Sequence, residues 1–75
     1  MTEQKVIEII AEHFNIDRSA LSAETDLVRE IHADSLDLVE LIMAFEETFD
    51  LSIPDDAALG VRTIGDIVKC IDSMK

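Results

Sequence analysis

Three stretches of this chain repeat apolar residues at the spacing of one helix face, and none alternates convincingly at the period of a strand. Over roughly residues 3–14 the apolar set is Val6, Ile7, Ile10, Ala11 and Phe14, with Thr2 placed to cap it. A second helix is expected over roughly 35–49, where Asp34 precedes it and Asp37 follows three residues on, a spacing like that of a capping box. Thr63 and Asp66 repeat the spacing ahead of a last helix over roughly 64–74, which carries Ile64, Ile67, Val68 and Ile71. Pro54 is acceptable at a helix start but not inside one. A single short turn of helix is therefore expected from Asp55 to Leu59, closed by Gly60. Between the first two helices runs a long connection, about 15–33, with Ile16, Leu21, Leu27, Val28 and Ile31 as anchors across the bundle. The expectation is a small all-α four-helix bundle with a long first loop and a short third helix.

At 75 residues, with no repeat and no linker-like stretch, the chain reads as one domain over 1–75. A chain so short buries only about 60% of the surface its unfolded form exposes, which leaves little room for a closed catalytic cleft. Hydrophobic residues make up 48% of it, too many for a disordered segment. The formal net charge is −11, from 17 acidic and 6 basic residues. Phosphate contacts need Lys and Arg, so this balance counts strongly against nucleic acid and anionic membrane as partners and points to basic protein surfaces. No apolar run approaches the roughly 18 residues a membrane span requires, and no secretory h-region opens the chain. The lone Cys70 has no partner for an internal disulfide and reads as a small buried hydrophobe in a reducing, cytoplasmic setting. A soluble monomer is expected.

The second helix has more apolar surface than one packing face needs. At about 100° per residue, Leu38, Leu41, Ile42, Phe45 and Phe49 gather on one side. Leu36, Val39 and Met43 fall on roughly the opposite side, among Glu40 and Glu47. One apolar stripe suffices to hold a surface helix on its domain. The second is either covered by the long loop or left for a partner. Charge favours the partner: between Arg29 and Arg62 there is no Lys or Arg but nine carboxylates, at Glu30, Asp34, Asp37, Glu40, Glu46, Glu47, Asp50, Asp55 and Asp56. An acidic field steers an encounter and a few apolar contacts hold it. Met43 suits a surface that meets several partners, because its unbranched chain adapts.

The run His32-Ala33-Asp34-Ser35-Leu36-Asp37-Leu38-Val39-Glu40-Leu41 resembles the prosthetic-group attachment region of acyl carrier proteins, closest to the bacterial fatty-acid synthesis type. A bare Asp-Ser-Leu is a weak signal. Here it opens a helix and continues through Met43-Ala44-Phe45-Glu46-Glu47, Phe49-Asp50 and Ile53-Pro54-Asp55 in the family's order. The resemblance implies a carrier and not an enzyme. A separate phosphopantetheinyl transferase would attach 4′-phosphopantetheine to Ser35, making a phosphoprotein of lipid metabolism, with Asp34 serving transferase recognition. It implies partner contact for Leu36, Val39, Glu40, Met43 and Glu47, with Asp37 and Glu46 in the same acidic field. The partners implied are acyl-transferring, condensing and reducing enzymes with basic docking patches. It implies an acyl-chain pocket among Leu38, Leu41, Ile42, Phe45, Ile53, Leu59 and Ile67, positions that serve equally as ordinary core.

Two positions depart from the family's pattern. Ile31-His32 stands where many members have Leu-Gly, and Gly would permit a positive φ that His adopts only at a cost. Leu59-Gly60-Val61 stands where a charged residue is common. Both leave open a specialised carrier for a polyketide, lipid A or amino-acyl pathway. A serine hydrolase is poorly supported, since no G-x-S-x-G surrounds Ser35 and the only histidines are His13 and His32. No calcium-binding loop pattern occurs and no specific metal set is expected, although the acids can attract divalent cations loosely. The competing reading is an acidic helical interaction module without a prosthetic group.

Overall fold

The computed structural model describes residues 2–54, Asp56 and 60–74. Three α-helices occur among them: α1 (Thr2–Phe14), α2 (Ser35–Phe49) and α3 (Ile64–Met74), with a 3-10 turn at Arg18–Ala20. The described residues form no strand; one isolated antiparallel bridge joins Asp26 to Thr63. The three long helices fall where the periodicity puts them, α1 beginning one residue early at Thr2. Of the short helix expected over 55–59, Asp56 alone is described, and it is helical; 55 and 57–59 lie outside the described residues, and Gly60 sits in a turn.

α1 is the central element, packed against both α2 and α3. Its Val6 and Ile10 meet Leu41 and Phe45 of α2 and Ile64, Ile67 and Ile71 of α3 in one buried cluster. Leu21, Leu27, Ala33 and Ile53 close it from the connections. At the open ends, the Thr2 hydroxyl donates to Asp72 Oδ1 (2.8 Å), tying the start of α1 to the end of α3. Both capping boxes form. Thr63 Oγ1 accepts from Asp66 N–H and Asp66 Oδ2 accepts from Thr63 N–H, each at 3.1 Å. These bonds hold the Asp66 carboxyl below its ordinary pKa, the Thr63 N–H being the larger cause and the Arg62 N–H the next.

Helices α1 and α2 both end without glycine. Asn15 (φ 56°) and Asp50 (φ 53°) take the left-handed conformation that short polar side chains tolerate. Ile16 N–H then reaches the Ala11 carbonyl (2.9 Å) and Leu51 N–H the Glu46 carbonyl (3.1 Å).

The long connection is stapled to the approach of α3. Leu27 N–H donates to the Arg62 carbonyl (2.9 Å), Ile64 N–H to the Thr25 carbonyl (3.1 Å) and Gly65 N–H to the Ala23 carbonyl (2.8 Å). The last approach is so close that a Cβ on Gly65 would stand 3.0 Å from that carbonyl oxygen. Asp26 Oδ1 accepts from the N–H groups of Val28 and Arg29, both at 2.9 Å, and folds 26–30 into a tight turn. That turn sends Leu27 into the core and Val28 outward, where it is 48% exposed. Val28 is therefore not the anchor expected of it: the turn closed by Asp26 puts Leu27 in the core and leaves Val28 in solvent.

Candidate cofactor-attachment site

The site is built around the first turn of α2. Ala33, immediately before it, is buried, and its N–H donates to the Leu27 carbonyl (3.0 Å), so the backbone entering the helix is pinned to the core. His32 has φ 63°, the left-handed region. His32 thus adopts the positive φ that Gly would take without cost, and His is among the few non-glycine residues enriched in that region. Its side chain is exposed.

Asp34 follows in extended conformation as the N-cap. Its Oδ1 accepts from Asp37 N–H (2.9 Å), and Asp37 Oδ2 accepts from Asp34 N–H (3.1 Å), a complete capping box. The Asp34 N–H holds the Asp37 carboxyl below its ordinary pKa, with His13 as the second cause. Ser35 is therefore the first residue of a helix whose start is fixed on both sides, and it is exposed. Its hydroxyl makes no hydrogen bond among the described residues, nor do the N–H groups of Ser35 and Leu36 find a protein acceptor there. Free first-turn N–H groups and the positive end of the helix dipole favour a negative group on that hydroxyl. A phosphodiester fits the position chemically; the Asp34 carboxylate beside it is the opposing influence.

Beyond Ser35 the two stripes of α2 separate cleanly. Leu41 and Phe45 are buried, and Leu38, Ile42 and Phe49 are half-buried against the same cluster. Leu36 (66% exposed), Val39 (54%) and Met43 (58%) stay in solvent, so the long connection does not cover them. Glu40 and Glu47 are exposed beside them. Of the expected docking residues, Asp37 and Glu46 use their carboxylates to accept backbone N–H groups: Asp37 in its capping box, and Glu46 through Oε2 from Ile53 N–H (2.7 Å). Of the expected pocket residues, Leu41, Phe45, Ile53 and Ile67 are buried and Leu38 and Ile42 half-buried, while Leu59 lies outside the described residues. An open groove of about 450 Å³, lined by Glu8, Ala11, Glu12, Asn15, Ile16 and Arg18, lies at the end of α1 and involves none of them.

Sequence reasoning missed His13. From the last turn of α1 its Nε2 lies 3.3 Å from Asp37 Oδ1 and 3.6 Å from Glu40 Oε2. Its position near a helix C-terminus was visible; its partners on another helix were not.

The chain matches a protein-family model described as a phosphopantetheine attachment site over residues 4–71. It is 44% identical over 72 residues to an acyl carrier protein of Prochlorococcus marinus (strain MIT 9515), covering 96% of this chain and 90% of that one. Among solved structures it resembles a proposed acyl carrier protein from Mycobacterium tuberculosis, with a TM-score of 0.91 at 29% identity and 97% of each chain covered. It also resembles the acyl carrier protein from Enterococcus faecalis, with a TM-score of 0.84 at 30% identity, 99% of this chain and 94% of that one covered. The chain thus belongs to the phosphopantetheine-attachment family and is a homologue of the acyl carrier proteins, which are carriers and not catalysts.

Proposed function

We propose that Ser35 is the residue that bears 4′-phosphopantetheine, and that residues 1–75 act as one acyl carrier domain presenting acyl intermediates to the enzymes of fatty-acid biosynthesis. The observation that carries the proposal is the exposed Ser35 hydroxyl on a helix start locked by Asp34 and Asp37. When bound, the group supplies a terminal thiol on which an acyl chain is held as a thioester. The chain's own residues do three things. The capping box and the buried Ala33 hold Ser35 outward, so a transferase reaches the hydroxyl without unfolding the helix. Asp34 presents a carboxylate next to the hydroxyl for transferase recognition. Leu36, Val39 and Met43, flanked by Glu40 and Glu47, form an apolar strip in an acidic field, suited to basic patches on the transferase and on acyl-transferring, condensing and reducing enzymes.

The half-buried Leu38 and Ile42, next to the buried Leu41, Phe45, Ile53 and Ile67, line the route an acyl chain would take between helices. No helix among the described residues is long and apolar enough to cross a membrane. Cys70 is a free, half-buried thiol; a monomeric carrier working in the cytoplasm is part of the same proposal.

The test is to incubate the protein with coenzyme A, Mg²⁺ and a broad-specificity phosphopantetheinyl transferase, then measure the intact mass. One pantetheine increment is expected in the wild type and none in Ser35→Ala. An increment retained in Ser35→Ala moves the attachment elsewhere. Its absence from both leaves an acidic interaction module.

A further inference from the structure

Where the end of α1 meets the first two turns of α2, one imidazole and two carboxylates converge. His13 Nε2, Asp37 Oδ1 and Glu40 Oε2 all lie within 4.8 Å of one another. Asp37 and Glu40 stand one turn apart on the same helix face, and His13 comes from a different helix. The distances from Nε2, 3.3 Å and 3.6 Å, both exceed the usual N–H···O range of about 2.7–3.2 Å. The ring therefore makes one long hydrogen bond, to Asp37 Oδ1, and an ion-pair contact with Glu40 Oε2. A zinc ion bound at about 2.0–2.1 Å from N and O ligands in a tetrahedron separates those ligands by roughly 3.4 Å. Two of the three ligand pairs already have that separation, and the Glu40 side chain, 54% exposed, is free to close the third.

We propose that His13, Asp37 and Glu40 form a divalent metal site, with water as the fourth ligand, that bridges α1 and α2 behind the attachment serine. A mixed imidazole–carboxylate set selects Zn²⁺, Co²⁺ or Ni²⁺ over Mg²⁺ and Ca²⁺, which prefer all-oxygen shells. Ligation through Nε2 leaves the ring proton on Nδ1. The site does not depend on the carrier reading, since Ser35 contributes nothing to it.

The full chain, stripped of metal by a chelator, is titrated with ZnCl₂ by calorimetry while the ring signals of His13 and His32 are followed by NMR. One equivalent of Zn²⁺ is expected to bind and to shift the His13 ring but not His32, with excess Ca²⁺ or Mg²⁺ failing to displace it. Loss of even an outer partner of a bound metal costs about 10–100-fold in affinity, so His13→Gln and Glu40→Gln should each weaken binding at least tenfold. His13 also meets the Phe14 ring edge-on with centroids 4.8 Å apart. If His13→Gln fails to fold, exposed Glu40→Gln and the His13 signal decide. Equal Zn²⁺ affinity in the folded variants, equal shifts of both histidines, or ready displacement by Ca²⁺ would reduce the cluster to a plain ion pair in a loosely cation-attracting surface.

Discussion

The two sides of α2 are made of similar residues and have opposite fates. Leu41 and Phe45 are almost fully enclosed, while Leu36, Val39 and Met43 on the far side are more than half exposed. Packing against α1 accounts for the first set. Nothing within the described residues covers the second, although burying it would gain roughly 1.5–3 kcal/mol per large side chain. The difference teaches that α2 joins the common core through its inner stripe only, and it supports the proposal that the outer strip with its acidic rim meets a surface supplied by another molecule.

The sharpest way to break that division is truncation on each side. Phe45→Ala should cost about 3–5 kcal/mol and Leu41→Ala about 2–5 kcal/mol in urea denaturation. Either is a large share of the few kcal/mol a domain this small has in hand. Val39→Ala and Met43→Ala should stay within about 0.5 kcal/mol. A comparable loss at Met43 would mean the outer strip is packed after all.

The next effect comes from the staple between the long connection and α3. An exposed helical Gly→Ala exchange usually gains about 0.5–1 kcal/mol. Gly65→Ala should instead lose roughly 1–3 kcal/mol, because the new Cβ would press on a backbone carbonyl with little room to yield. A melting temperature raised by this substitution would contradict the close approach.

Smaller again is the cap of α3. Thr63→Ala should cost about 1 kcal/mol. Its partner Asp66 has a carboxyl pKa lowered by folding, so its contribution is present above the unfolded value of about 3.9 and fades as pH falls through the lower folded value. The stability gap between wild type and Asp66→Asn, measured by denaturation at successive pH values, should therefore be full at neutral pH and shrink below about pH 4. A gap that widened on acidification would reverse the sign.

The smallest change in stability is expected where the largest change in encounter is. Reversing both Glu40 and Glu47 to Lys should alter folding free energy by less than about 0.5 kcal/mol. The transferase reaction at low salt should slow markedly, and the difference should diminish as salt screens the charges. Unchanged kinetics at low salt would remove the acidic rim from docking.

How much of this was legible beforehand depended on whether the cause was local. The capping pairs Asp34–Asp37 and Thr63–Asp66 announce themselves because the box needs only a three-residue spacing. The two stripes of α2 follow from helical period alone. The left-handed backbone at His32 was legible only as a substitution for glycine, and the structure gives it a positive φ and places the ring in solvent. What stayed hidden required knowing where distant chain returns. Leu27 and Val28 look alike until the Asp26 turn sorts them. Glu46 reads as one more surface acid until Ile53 comes back beneath it (2.7 Å). The pairing of His13 with α2 needs the packing of two helices separated by the long connection, and so does the backbone contact that makes Gly65 necessary.

The most direct measurement is fragmentation mass spectrometry of the protein taken from its native host. A 4′-phosphopantetheine mass on Ser35, carrying an acyl chain that hydroxylamine releases, is the result predicted. An unmodified Ser35 in cells with an active transferase, or the group on any other residue, would contradict it.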